Sequence, residues 1–369
     1  MKKFIIIEHE PLTIRLLRIW NIEELRQRGV DVEYWDVSSL VFLGMAQVIP
    51  NKVQDKCVRY ISTTNSLESL LKTNDASKTV YSLEIFENWD NRKILLLFRK
   101  YHCFCVKIDL YANTEIPSPF CERLKSYLKR VTFKSFFKKI SWICYHKTIL
   151  KNIIETNLSS SAVVHPDIRI NHPDFEEFKK ADSPIIKGHY IVFIDIYYPL
   201  HPEIKYSLKK NIKEYTAAYR KTMTSFFDYI SRKYSLEVVI AAHPKADYTG
   251  NEFGDIRIIK NHTCNLVKYT DMVITHGSNS LSFIALADKP FIMVFPDSYT
   301  HIEDMYSYII SLSKAIKKTA YNLDKVNWDT ISFSKMNEKT RQNYIETYLT
   351  SKETENKKNS DIWIEKLLT

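Results

Sequence analysis

Between residues 236 and 296, three short apolar runs alternate with polar clusters and a helix-like stretch, and few folds accept that order. Val238-Val239-Ile240-Ala241-Ala242 ends in His243-Pro244-Lys245. Asp271-Met272-Val273-Ile274-Thr275 ends in His276-Gly277-Ser278-Asn279-Ser280. Residues 281–288 have helical character, and Lys289-Pro290 leads into Phe291-Ile292-Met293-Val294-Phe295. Such runs read as parallel strands buried on both faces. Ligands of such sheets bind beyond the carboxyl ends of the strands. Both polar clusters therefore fall where a ligand would sit.

The second cluster has the sharper physics. Ser278, Asn279 and Ser280 can each cap the helix that follows. A helix amino terminus offers unpaired N–H groups and partial positive charge, which suits phosphate. Gly277, one of only six glycines, permits a positive φ or a close backbone approach. A capped helix needs no ligand, but two histidine-bearing strand ends in one α/β unit point to a site.

The rest of the chain repeats the strand–helix alternation. Residues 4–7 read as a first strand and 12–28 as a helix, with Ile14, Leu17, Ile22 and Leu25 on one face and Gly29 as its stop. Strands are expected at 30–35, 79–83, 94–98 and 103–108. Proline-containing and charged breaks at 165–187 mark an interdomain linker. A strand at 190–195 ends in Asp195, again at the ligand edge. A helix at 211–234, strands near Val238, Ile256, Val273 and Phe291, and helices at 301–318 and 338–349 follow. A charged connector at 352–359 precedes a final helix at 361–368. This predicts a first domain at 1–180, a second at 181–335, and helices at 336–369 that pack back on the first domain.

With 369 residues and 45% hydrophobic content, the chain can support two cores. No apolar run is long enough to span a membrane, and the apolar start at 4–7 is too short for a signal peptide. The six cysteines form no Cys-x-x-Cys pair and read as reduced, in a cytoplasmic protein. The net charge of +10 is concentrated at 123–151, where Arg123, Lys129, Lys134, Lys138, Lys139 and Lys147 alternate with Phe133, Phe136, Phe137, Ile140 and Trp142. That spacing predicts an amphipathic helix suited to an anionic membrane surface on the inner face. A docked helix with a solvated basic face is the alternative. No nucleic-acid-binding motif accompanies the charge.

His243-Pro244 and Ser278-Asn279-Ser280, in a carboxyl-terminal α/β half, together resemble the motifs of bacterial surface-polysaccharide glycosyltransferases of GT-B fold. The likeness is closest to CMP-sugar-dependent sialyltransferases, polysialyltransferases and Kdo transferases, and covers residues 165–300. It implies two Rossmann-like doubly wound α/β domains facing a cleft. It implies an inverting transferase that moves a CMP-activated nonulosonic or ulosonic acid to a surface glycan, lipid-linked or free. In that family the histidine contacts the donor phosphate or assists the leaving group, and the serines bind phosphate; here these roles fall to His243, Ser278 and Ser280. UDP-sugar enzymes of this fold carry a Glu in the equivalent helix, whereas residues 281–286 here contain no carboxylate. A pyruvyl, polyol-phosphate or UDP-sugar transferase on the same fold, or a non-catalytic basic protein at the membrane, stays open, because fold alone does not choose between them.

Sugar transfer needs a phosphate clamp, a base for the acceptor hydroxyl, and exclusion of water. The clamp candidates are His243, Pro244, Lys245, His276, Gly277, Ser278, Asn279 and Ser280. The base candidates are Asp195 and, after the first strand, Glu8 and Glu10, with His243 on the leaving group. The chain has no Asp-x-Asp, so no metal or other cofactor is expected beyond the nucleotide-sugar donor. His165, His172 and His201, each before a proline, read as structural.

Overall fold

The computed structural model describes residues 2–42, 49, 52–110, 133–151, 153–206 and 212–369. The chain divides into two compact units. The first comprises Met1–Leu110, Pro117–Ile170 and Glu353–Thr369, and the second Tyr111–Ile116 and Asn171–Lys352. The stretch 336–369 is thus shared: helix Glu338–Tyr344 lies in the second unit, and the segment after it, from Glu353, in the first.

The first unit is built on seven strands: β1 (Lys3–Glu8), β2 (Val32–Asp36), β3 (Val58–Tyr60), β4 (Thr79–Glu84), β5 (Phe104–Asp109), β6 (Thr156–Ser159) and β7 (Ile168–Arg169). Their order is β3-β2-β1-β4-β5-β6-β7, all parallel. Alternation along β1 explains why both faces must be covered. Phe4 and Ile6 join one apolar cluster and Ile5 and Ile7 another, all four fully buried. The carboxyl-terminal segment completes the first cluster. Trp363 packs against Phe4 and Trp20, with ring centroids 6.2 and 6.0 Å apart, and Lys2 N–H donates to the Leu368 carbonyl at 2.9 Å.

The second unit holds β8 (Tyr190–Ile194), β9 (Glu237–Ala242), β10 (Glu252–Asp255), β11 (Arg257–Lys260), β12 (Met272–Thr275), β13 (Phe291–Phe295) and β14 (Ala320–Asn322). Six form a parallel sheet in the order β11-β9-β8-β12-β13-β14, and β10 stays outside it. β8, β9 and β13 are buried almost throughout, as their unbroken apolar runs require. Both units are therefore doubly wound, Rossmann-like α/β structures.

Three local readings need correction. Residues 94–98, read as a strand, lie within helix Arg92–Lys100. Ile94, Leu95 and Phe98 face the core at helical spacing, and the flanking Arg and Lys residues stay outside. The helix expected at 12–28 is two helices, Ile14–Ile19 and Ile22–Gln27, broken where Asn21 takes a left-handed φ of 47°. The helix expected at 211–234 runs Thr216–Tyr234. In the basic stretch, helix Phe133–Tyr145 is present, whereas Arg123, Lys125, Lys129 and Arg130 lie outside the described residues.

Candidate functional site

In the second sheet the order of connection reverses beside β8. The chain goes from β8 to β9 on one side, and later to β12 and β13 on the other. Open α/β sheets bind ligands at the carboxyl ends of strands at such a switch point. Asp195 follows β8, His243 follows β9 and His276-Gly277-Ser278 follows β12, so three adjacent strands deliver the sequence candidates to one edge.

Asp195 fixes the start of this site. It is 2% exposed and accepts hydrogen bonds from Tyr197 N–H at 2.9 Å, Tyr248 O–H at 3.0 Å and His243 N–H at 3.3 Å. Burial pushes its carboxyl up to about 6 against those bonds. Through these bonds Asp195, expected as the base, ties the His243 backbone to the β8 turn.

His243 is half-buried and its ring is oriented. Its Nδ1 accepts Lys245 N–H at 3.1 Å, so in the neutral ring Nε2 carries the proton and is the donor. The ring meets that of His201 edge-on at 4.7 Å, which brings a histidine read as structural into the site. Lys245 Nζ pairs with Glu203 at 3.0 Å and keeps 15% side-chain exposure. Pro244 is half-buried in the turn closed by Ala246 N–H to the His243 carbonyl at 2.8 Å.

His276 does not face a ligand. It is fully buried; Nδ1 donates to the Val294 carbonyl at 2.6 Å and Nε2 accepts from Tyr219 O–H at 2.8 Å. Burial lowers it to about 4, so it is neutral and structural. Gly277 has a φ of +78°, and a Cβ there would stand 3.1 Å from Leu312 and Met293 side-chain carbons. The glycine thus serves the turn and close packing. Ser278, Asn279 and Ser280 are half-buried, and Ser278 Oγ accepts Ser280 N–H at 3.2 Å. Ser280 is the N-cap residue of helix Leu281–Ala287 but makes no side-chain cap bond. Buried Ser282 instead bonds Asp174.

The first unit has its own switch point, between β1 and β4. Four adjacent strands there end in acids: Asp36 on β2, Glu8 on β1, Glu84 on β4 and Asp109 on β5. Glu8 and Glu84 are directly in register. His9 Nδ1 lies 2.8 Å from Glu8 Oε1 and 2.7 Å from the Glu84 carbonyl oxygen. Both neighbours are acceptors, so Nδ1 carries a proton and the neutral ring keeps its lone pair on Nε2. Desolvation alone would lower His9, but the Glu8 charge and hydrogen bond outweigh it and raise the imidazole to about 9. Burial raises Glu8 as well, and burial beside Glu8 pushes Glu84 up to about 8. Glu10 is half-buried, with its carbonyl accepting Tyr34 O–H at 2.7 Å. Sequence reasoning selected Glu8 and Glu10 and passed over His9 between them. The run Glu8-His9-Glu10 at a strand end was the available signal. Among the described residues, no group of three or more His, Cys, Asp and Glu side chains is placed to hold a metal ion.

No protein-family model matches the chain, and no curated protein matches it. Solved structures do. The calicheamicin glycosyltransferase CalG4 is similar at 10% identity and TM-score 0.47, over 89% of this chain and 88% of that one. A glycotransferase of kitacinnamycin is similar at 12% identity and TM-score 0.46, over 89% and 88%. The UDP-GlcNAc 2-epimerase of Methanocaldococcus jannaschii, in complex with UDP-GlcNAc and UDP, is similar at 10% identity and TM-score 0.44, over 94% and 98%. At these values the likenesses carry no chemistry from those proteins to this one, and the functional reading must come from the strand-end residues themselves.

Proposed function

We propose that this chain is a glycosyltransferase that moves a sugar from a nucleotide-activated donor to a hydroxyl of a glycan acceptor. The observation that carries the reading is the convergence of His243 and Ser278–Ser280 on the carboxyl edge of three adjacent strands at the second switch point. His243 Nε2–H, the serine hydroxyls and Lys245 are hydrogen-bond donors suited to a leaving phosphate. In the first unit, the His9 imidazole held by Glu8 is a polar site in its own right at that sheet's switch point. The acceptor oxygen attacks the anomeric carbon and gives up its proton to a base. The bond from that carbon to the phosphate oxygen breaks, and the nucleotide leaves with the electron pair. A single displacement of this kind inverts the anomeric centre.

The donor we propose is CMP-linked. Helix Leu281–Ala287 presents no carboxylate for ribose hydroxyls, and a CMP leaving group offers a single phosphate to clamp. That balance favours donors and a histidine over a metal. The acceptor is a surface glycan at an anionic membrane. Helix Phe133–Tyr145 supports this: Phe136, Phe137, Ile140 and Ile143 are each at least 41% exposed, beside exposed Lys139 and Lys147. Among the described residues no helix is long and apolar enough to cross a membrane.

Calorimetric titration with CMP, CDP and UDP tests the reading. Binding of CMP is expected. Preference for UDP or CDP replaces the donor assignment, and no binding of any of the three removes the glycosyltransferase reading.

A further inference from the structure

At the carboxyl ends of β2 and β3 the first unit has a cavity of about 210 Å³, lined by Pro11, Asp36, Ser38, Lys52, Tyr60 and Ile61 among others. Its floor is rigid. Asp36 is in register with Glu8 on one side and Tyr60 on the other, and Ile61 N–H donates to the Asp36 carbonyl at 2.9 Å. The Asp36 residue is 4% exposed. One of its carboxylate oxygens accepts Ser38 N–H at 2.9 Å; among the described residues no other hydrogen bond or ion pair reaches the carboxylate. A carboxylate accepts through two oxygens, so Asp36 has room to accept from a donor that enters the cavity. Something with O–H groups is the natural partner. Lys52, exposed on the wall, makes no ion pair among the described residues. Tyr60, 65% exposed, presents an aromatic ring at the rim.

We propose that this cavity binds one sugar ring bearing an acidic substituent. Asp36 accepts a pair of adjacent hydroxyls, the Ser38 hydroxyl adds a further polar contact, Tyr60 covers the C–H face of the ring, and Lys52 pairs with the carboxylate or phosphate. At about 210 Å³, the space has room for one sugar ring. Charge selects against a bare metal ion, because the lining residues include one carboxylate and a lysine. An apolar ligand would leave the Asp36 oxygen unmet. Identifying this sugar as part of the acceptor rests on the glycosyltransferase reading; the binding of an acidic sugar does not.

The test uses the full chain and saturation-transfer NMR with three probes, glucuronate, galacturonate and N-acetylneuraminate, with glucose as the neutral comparison. Saturation transfer to at least one acidic sugar is expected, at least tenfold weaker in Asp36→Asn and in Lys52→Met. Lys52→Met should spare glucose, whereas Asp36→Asn should weaken both kinds of sugar. Tyr60→Ala, at the rim, serves in place of Asp36→Asn should the latter unfold on a thermal melt. No transfer to any acidic sugar by folded wild type, or wild-type signals in the variants, overturns the proposal. CMP calorimetry on the same samples separates the two readings: nucleotide binding without sugar binding removes only the cavity, and the reverse removes only the transferase.

Discussion

Nδ1 of His9 and Oε1 of Glu8 lie 2.8 Å apart, so adjacent residues of one strand end form an imidazole–carboxylate pair that shares a proton. The Glu8 charge holds His9 up at about 9 although burial opposes it. Glu8→Gln removes the charge and leaves the desolvation. Histidine NMR titration should then show His9 falling by more than one unit. An unmoved His9 titration would falsify the pairing.

The same cluster sets a pH dependence of stability. His9 is raised above its ordinary 6.5 to about 9, so its contribution is complete below 6.5 and is lost as pH rises through 9. Glu84 is raised above 4.5 to about 8, so the fold favours its protonated form and that contribution is lost between 4.5 and 8. Both signs agree. Urea midpoints should fall steadily from pH 6.5 to 9.5, and less so in Glu84→Gln. Midpoints that rise with pH in this window would contradict the assignment.

His243→Ala and Ser278→Ala should weaken CMP binding with little effect on folding. Each loses one hydrogen bond to a charged phosphate, worth about 1.5–3 kcal/mol, or roughly ten- to 150-fold in affinity. Calorimetry that returns wild-type affinity for both folded variants places the nucleotide elsewhere.

Tyr219→Phe separates a structural histidine from a ligand-binding one. It strips the donor from the fully buried Nε2 of His276 and should cost about 1–3 kcal/mol of stability. Denaturant unfolding measures it. A neutral result would mean that the His276 ring has another partner available, and the core assignment would fail.

Sedimentation with anionic liposomes tests the basic apolar helix. Wild type should pellet at low salt and be released toward 1 M salt, where the Debye length shrinks to about 3 Å. Phe136→Ser with Ile140→Ser and Ile143→Ser should stay in solution. Equal pelleting by wild type and this variant removes the membrane surface from the reading.

The second sheet was legible because its central strands are unbroken apolar runs bounded by Pro, Gly and His, which only a two-sided sheet buries. β3, β7 and β14 were not. They have two or three residues each, with no fully buried position to mark them as core. Residues 94–98 misled because five apolar residues in a row fit either period, and the flanking basic residues carried the deciding information. At the candidate site, residue type picked out strand ends but not their accessibility. His243 and His276 look alike in sequence, each closing an apolar run. The former stays half-buried and the latter is enclosed by Tyr219, Phe193 and Tyr299. Those rings come from 193 to 299 in the chain, a convergence that local pattern does not contain.

Trp363 packs on Phe4 and Trp20, and Leu368 bonds Lys2, across nearly the whole length of the chain. On the ribosome, the strands of the second unit are therefore all made before the first unit can close its core. The nascent first sheet waits with the seat of Trp363 uncovered while some two hundred further residues are translated, and a protein released short of that tryptophan would carry an intact second unit beside an unfinished first.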